Sequence, residues 1–117
     1  MSVEKVYVCV KDMDRAIWFY NKLFGFPPFI KDEVYTVYDM EGVRYALFDY
    51  TRIEEGDQLS IEESKRLETY SNKKMLHTLL EMGARITSPP MVINNNWVFE
   101  FEDSEGNEIE VVSPYWS

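Results

Sequence analysis

The pattern of apolar and polar positions divides the first half of the chain into a strand, a helix and a hairpin. Residues 3–10 are rich in β-branched and aromatic side chains, which predicts a strand. After this strand, Asp12 can cap a helix and Gly25 can end it. Residues 34–40 and 43–50 then predict two strands joined at a short turn, Glu41-Gly42. The buried stripe of the helix is predicted from apolar residues at helical spacing: Ala16, Phe19, Tyr20 and Leu23.

The second half of the chain repeats this order. Residues 66–70 predict a short strand, and Ser71 or Asn72 is suited to cap a second helix that ends at Gly83. The predicted apolar face of this helix consists of Met75, Leu76, Leu79 and Leu80. The remaining elements are a brief extended segment at residues 85–87, ended by Pro89-Pro90, and a closing hairpin of residues 97–102 and 108–112.

The resulting order is β-α-β-β-β followed by β-α-β-β-β, with the second strand of the first module expected near residues 29–31. The two modules share little sequence identity, so the repeat is one of pattern. Residues 52–64 carry five acidic side chains and little periodicity, which predicts an exposed loop between the modules. Antiparallel hairpins with helices on one face predict an α+β layered domain.

Length and composition narrow the class of protein. A chain of 117 residues with 45% hydrophobic residues is long enough for one domain with a core. Its net charge of −9 argues against nucleic acid and anionic membranes as partners, because both attract clusters of Lys and Arg. No apolar run approaches ~18 residues and no signal-peptide pattern is visible, so we expect a cytoplasmic protein without a membrane span. The single cysteine, Cys9, excludes an internal disulfide.

Two segments at opposite ends of the chain carry a family resemblance. The first is Val10-Lys11-Asp12-Met13-Asp14-Arg15-Ala16, followed by Phe19-Tyr20 in the same helix. The second is residues 102–110, Glu-Asp-Ser-Glu-Gly-Asn-Glu-Ile-Glu, in the closing hairpin. Together with the repeated element order, they resemble the vicinal-oxygen-chelate superfamily, which includes glyoxalase, bleomycin- and fosfomycin-resistance proteins and extradiol dioxygenases. The second segment stands where that family usually has Asp-Pro-Asp-Gly-Asn.

The resemblance implies a U-shaped mixed eight-stranded sheet built from two βαβββ modules, with the helices outside and a ligand cavity inside. It places the modules at about residues 1–51 and 65–117 of a single domain, residues 1–117, with the acidic loop 52–64 between them. It also implies a homodimer, since family members commonly dimerise, sometimes by exchanging modules. Metal-dependent members hold a divalent cation with side chains, usually His or Glu, from four strands.

These four ligand positions can be compared with the sequence one by one. The last falls at Glu110, whose carboxylate is a suitable ligand. The only histidine, His77, is expected on the second helix, outside the cavity. A divalent metal cofactor is therefore poorly supported, with Glu110 as the one ligand in a family position. The other three positions hold residues that are poor metal ligands: Lys5, Ala46, and Lys65 or Arg66.

The closing hairpin gives Glu110 a second carboxylate as a neighbour. Pairing that is symmetric about Glu105 would place Glu100 opposite Glu110, and strand alternation would turn both towards the cavity. Like charges opposed across a sheet are unfavourable, so water, Lys5, Arg44 or a cationic ligand should offset their repulsion. Glu110 is open to three interpretations: a salt bridge with Lys5, a carboxylate that binds a ligand, or the sole anchor of a metal.

Aromatic residues predict the rest of the cavity lining, because their rings stack on aromatic or cationic molecules. The candidates are Tyr7, Tyr35, Phe48 and Tyr50, with Arg44 on the same face as Phe48.

Two functions follow from the resemblance and these residues. The first is a metal-independent binder of a small cationic or aromatic molecule, similar to bleomycin-resistance proteins. The second is a glyoxalase-like lyase or isomerase with an atypical divalent-metal site. The residues predicted to bind the ligand are Glu110, Glu100, Lys5, Tyr7, Arg44, Phe48 and Tyr50.

Overall fold

The computed structural model of the protein describes residues 5–52, 65–70 and 72–114. Within these ranges it forms two α-helices and seven β-strands, so the predicted α+β class is confirmed. A 3₁₀ turn, Tyr50–Arg52, follows the third strand. The elements in chain order are β1 (Lys5–Val10), α1 (Met13–Phe24), β2 (Tyr35–Met40), β3 (Val43–Asp49), β4 (Arg66–Glu68), α2 (Asn72–Glu81), β5 (Ile86–Ile93), β6 (Asn96–Glu102) and β7 (Glu108–Pro114).

Helix α1 begins and ends at the predicted residues. The side chain of Asp12 accepts a hydrogen bond from the backbone N–H of Arg15 at 3.1 Å, which satisfies one of the free donors of the first turn. Gly25 ends the helix with a φ of 82° and donates its N–H to the carbonyl of Asn21. In α2 the prediction for Leu80 is wrong, because this side chain is 58% exposed and lies on the solvent side of the helix.

Strands β1, β3 and β2 form sheet A in that order, with β1 parallel and β2 antiparallel to β3. The strand predicted at residues 29–31 is reduced to a single bridge between Ile30 and Val37. Pro27 and Pro28 stand just before it and have no N–H to donate, so the pairing starts only at Phe29, whose N–H donates to the carbonyl of Val37 at 2.8 Å.

Strands β4, β7, β6 and β5 form sheet B in that order. The prediction of a brief extended segment at residues 85–87 is wrong, since β5 continues through Pro89 and Pro90 to Ile93. Two properties of β5 make this feasible. It is an edge strand, and its register with β6 shifts between Ile86 and Met91, so the prolines lie where the hydrogen-bond ladder is already interrupted.

The two modules share one hydrophobic core that lies between their sheets. Phe19 of α1 stacks on Phe101 of β6 with ring centroids 6.1 Å apart. Tyr20 of the same helix packs against Tyr45 of β3 at 5.2 Å. Helix α1 therefore contacts both sheets, and α2 adds the buried side chain of Leu79 to the same core.

Because each sheet turns one face towards this core, its other face points away from the core. We call these the outer faces. Sheets A and B are separate in the described residues, which do not form a continuous U-shaped eight-stranded sheet. Strand alternation and register place Tyr7, Tyr35, Val37, Arg44, Ala46 and Phe48 on the outer face of sheet A, and Arg66, Glu68, Val98, Glu100, Glu110 and Val112 on the outer face of sheet B.

The acidic loop predicted at 52–64 lies outside the described residues, except for Arg52 at the end of the 3₁₀ turn. Its exposure and the single-domain organisation with these module boundaries stay predictions. No helix in the described ranges is long and apolar enough to cross a membrane.

Candidate functional site

The turn between β6 and β7, which belongs to the family-like segment, ties the two modules together through Glu105. Its Oε1 accepts hydrogen bonds from the backbone N–H groups of Lys11 and Asp12, both at 2.8 Å. Its Oε2 accepts a hydrogen bond from Nε of Arg15 at 2.7 Å. The side chain of Glu105 is 1% exposed, so its charge is covered by the N-terminus of α1 and by the guanidinium.

These contacts determine the charge state of Glu105. Burial raises the pKa of its carboxyl, but the hydrogen bonds from Arg15, from the N–H groups of Asp12 and Lys11, and from Ser104 outweigh that effect and leave the pKa lowered from 4.5. The hydrogen bond to Glu105 in turn raises the pKa of Arg15. Glu105 is therefore ionised and fully hydrogen-bonded, and its role is structural.

A buried hydrogen-bond network continues this junction into the core. The carboxylate of Asp103 accepts a hydrogen bond from the hydroxyl of Tyr20 at 2.7 Å, and the hydroxyl of Tyr45 donates a hydrogen bond to that of Tyr20 at 2.9 Å. Burial raises the pKa of Tyr20 well above 10.0, so its hydroxyl stays a neutral donor. The side-chain amide of Asn107 donates to the carbonyl of Cys9 at 2.8 Å and joins the turn to the end of β1. The turn thus fixes where β7 begins.

The predicted carboxylate pair is present in the closing hairpin. Glu100 and Glu110 are register partners in β6 and β7, and both are partly buried on the outer face of sheet B. Arg66 of β4 is the register partner of Glu110 on its other side. The guanidinium of Arg66 also lies 3.4 Å from the carboxylate of Glu68. A cation of the same chain therefore stands next to the carboxylate pair.

Sequence reasoning placed Arg66 only at a metal-ligand position and missed it as the neighbour of Glu110. The parallel pairing of β4 with β7 makes Arg66 the neighbour of Glu110, since the two residues fall at the same register position. The repeat itself carries this signal, because β1 and β3 pair in parallel in the first module in the same way.

The aromatic candidates lie on sheet A instead. The rings of Tyr7 and Tyr35 are 6.0 Å apart, and the ring of Tyr35 is 6.5 Å from that of Phe48. Burial and a hydrogen bond with Tyr7 raise the pKa of Tyr35 to about 12, so this hydroxyl is neutral at physiological pH. Tyr50 follows β3 in the 3₁₀ turn and is 46% exposed.

Arg44 lies beside this aromatic cluster. Its guanidinium is 4.5 Å from the ring centroid of Phe29, which is a cation–π contact. The sequence did not predict this contact, because it gave no pairing partner for the strand expected at residues 29–31. The register partners of Arg44 are Lys5 in β1 and Asp39 in β2. The side chain of Lys5 is outside the described part of the structure, so its salt bridge with Glu110 stays a prediction.

The predicted site residues therefore form two groups on different sheets. Glu100 and Glu110 lie on the outer face of sheet B, whereas Tyr7, Arg44 and Phe48 lie on the outer face of sheet A. Among the described side chains, no hydrogen bond, ion pair or ring contact joins the two groups.

The side chains on these faces do not fit a divalent metal. Nowhere in residues 5–52, 65–70 and 72–114 do three His, Cys, Asp or Glu side chains come together as an ion would require. Glu110 has one further carboxylate, Glu100, and one guanidinium, Arg66, as its register neighbours. His77 lies on α2 as predicted, is 73% exposed and contacts Glu81 at 2.9 Å.

Comparison with known proteins agrees with this architecture. One similar solved structure is TioX from Micromonospora sp. ML1, which is 18% identical with a TM-score of 0.72 over 97% of this chain and 99% of that one. A lactoylglutathione lyase from Agrobacterium tumefaciens is 15% identical with a TM-score of 0.71 over 96% of this chain and 92% of that one. A glyoxalase-related enzyme from Fulvimarina pelagi is 16% identical with a TM-score of 0.69 over 97% of this chain and 88% of that one. At these identities the likeness shows a shared fold. No curated protein matches the chain. Residues 2–111 match the family model of the Glyoxalase/Bleomycin resistance protein/Dioxygenase superfamily, and the chain therefore belongs to that superfamily.

Proposed function

We propose that the protein binds a small cationic or aromatic molecule, without a metal, in a cavity that contains Glu110. The observation that carries this proposal is the pairing of Glu110 with Glu100 on the outer face of sheet B. Two carboxylates directly opposed across a sheet repel each other, and both are partly withdrawn from water. Arg66 is also paired with Glu68 and cannot offset both charges, so a cationic ligand would complete the site.

The outer face of sheet A would supply the aromatic part of the cavity. Tyr7, Tyr35 and Phe48 form a continuous set of rings there, and such rings bind planar and cationic molecules by stacking and cation–π contact.

Since this face and the carboxylate pair point away from the shared core, a homodimer in which sheet A of one protomer faces sheet B of the other would unite them. Arg44 on sheet A has Lys5 and Asp39 as register partners, and Glu100 and Glu110 are register partners on sheet B, so Arg44 could meet one carboxylate of the pair across such an interface.

A thermal-shift assay with matched probes tests this function. Benzyltrimethylammonium and benzamidine are cationic and aromatic, and benzyl alcohol is a neutral aromatic of similar size. We expect the cations to raise the melting temperature of the native protein more than the alcohol does, and we expect Glu110→Gln to abolish that difference.

Glu81→Gln is the matched control for this assay, because Glu81 is an exposed carboxylate at the end of α2, away from the outer face of sheet B. This variant should keep the full shift. If no cation stabilises the native chain, or if Glu81→Gln and Glu110→Gln lose the shift equally, the carboxylate pair is not a cation site.

The alternative is a glyoxalase-like lyase or isomerase with an incomplete divalent-metal site. The position of Glu110 in the family pattern favours it, with Glu100 as a second carboxylate ligand. Titration of the metal-free protein with Ni²⁺, Zn²⁺ or Mn²⁺ decides between the two. Stoichiometric binding that Glu110→Gln abolishes would establish the metal site and overturn the metal-free proposal.

A further inference from the structure

A small pocket lies where the β2–β3 turn meets the outer face of sheet B, next to the carboxylate pair. We call it the junction pocket. Its volume of about 240 Å³ has room for roughly eight water-sized groups. Val43 and Val112 supply apolar lining, and Glu41, Arg66 and Glu68 supply charged lining. The pocket is therefore small, has charges of both signs, and is formed by residues of both modules.

The charged groups of the junction pocket are only partly engaged by the protein. The carboxylate of Glu41 accepts hydrogen bonds from the N–H of Tyr70 at 2.9 Å and from the hydroxyl of Thr69 at 3.4 Å, and its two oxygens keep further acceptor positions. Arg66 and Glu68 are 3.4 Å apart, but their side chains are 50% and 48% exposed, so this ion pair is weak and open to competition by a ligand. A guanidinium has five N–H donors in a planar fork that matches a carboxylate.

We propose that the junction pocket binds a small zwitterion of the amino-acid class, in addition to the function proposed for the carboxylate pair. Arg66 would hold the ligand carboxylate through two parallel hydrogen bonds, and its ammonium would lie between Glu41 and Glu68. An apolar side chain of the ligand would pack on Val43 and Val112. A zwitterion would exchange the weak Arg66–Glu68 ion pair for a ligand contact at each charge. A monoanion would bring no cation to Glu41 and Glu68, and a monocation would gain no contact with Arg66, so the pocket favours a ligand that has both charges.

Isothermal titration calorimetry on the whole chain tests this with three probes of the same branched skeleton: L-valine, isobutylamine, which lacks the carboxylate, and isovalerate, which lacks the ammonium. L-valine should bind, and each singly charged probe should bind about tenfold more weakly or worse, because each loses a charge-assisted contact. Arg66→Gln and Glu41→Gln should each weaken L-valine binding by about tenfold or more.

Glu100→Gln is the control that separates the two proposals. Glu100 lies beyond Glu110 in the row across sheet B and does not line the junction pocket. This variant should keep L-valine binding even if it loses the response to cationic aromatic probes. Circular dichroism melting of each variant verifies that it is folded. The proposal would be overturned if the native chain did not bind L-valine. It would also be overturned if isobutylamine bound as tightly as L-valine and Arg66→Gln did not weaken that binding.

Discussion

Glu105 holds the two modules together because one nearly fully covered carboxylate accepts two backbone N–H groups and the guanidinium of Arg15. The sequence predicted a closing hairpin whose pairing is symmetric about this residue. It did not predict the contact with α1, since the partners are about ninety residues apart along the chain and local patterns carry no information on such pairs.

Replacement of Glu105 by Gln should lower the free energy of unfolding by about 1–3 kcal/mol, because the amide loses the charge-assisted bonds and presents its NH₂ group to donors. Urea unfolding measures this change. Glu108→Gln is the control, as Glu108 is exposed and lies in the same hairpin. Equal effects of the two substitutions would contradict the role of Glu105.

The pH dependence of the same variant follows from the lowered pKa of Glu105. A carboxyl whose pKa is lower in the folded state stabilises the fold above its unfolded pKa, near 4.5, and this contribution is lost as the pH falls through the folded pKa. The difference in unfolding free energy between the native chain and Glu105→Gln should therefore be constant at neutral pH and shrink below about pH 4.5. A difference that does not change down to about pH 3 would show that the charge of Glu105 is unimportant.

At the scale of elements, the sequence predicted best those that have chemical start and stop signals. Helix α1 lies between Asp12 and Gly25, and the first hairpin turns at Glu41-Gly42, as their residue types indicate. β5 was predicted too short because Pro89 and Pro90 normally end a strand. Whether a proline is tolerated depends on the edge position of β5 and on its irregular register with β6, which are properties of the assembled sheet.

The N-cap of α1, Asp12, can be tested directly by substitution. Asp12→Ala should lower the free energy of unfolding by about 0.5–2 kcal/mol, since the N–H of Arg15 loses its partner at the end of a helix that contacts both sheets. Thermal or urea unfolding checks the value. Asp12→Ser keeps a capping oxygen and should retain most of the stability, so an equal loss in both variants would show that the cap contributes little.

At the scale of the whole molecule, the sequence predicted which residues share a face but not how the faces are placed. The pairing of Glu100 with Glu110 follows from turn symmetry and alternation, and it is present. The prediction that Tyr7 and Arg44 share one cavity with them depends on how the sheets are arranged, and α1 between the sheets leaves the two groups on separate outer faces. Alternation fixes the face of a sheet, whereas the placement of one sheet against another is decided by contacts distant in sequence.

The proposed homodimer provides the test at this scale, because it would bring Arg44 on the outer face of sheet A against the carboxylate pair of a second chain. Sedimentation equilibrium of the native protein should give twice the mass of the 117-residue chain. Arg44→Glu and Glu110→Lys should each raise the dissociation constant by about tenfold or more, since each places like charges together across the interface. The double variant exchanges the two charges and should recover most of the lost affinity, a recovery that general damage to the fold would not produce. A native monomer, or a dimer that tolerates both single reversals, would show that these faces do not meet.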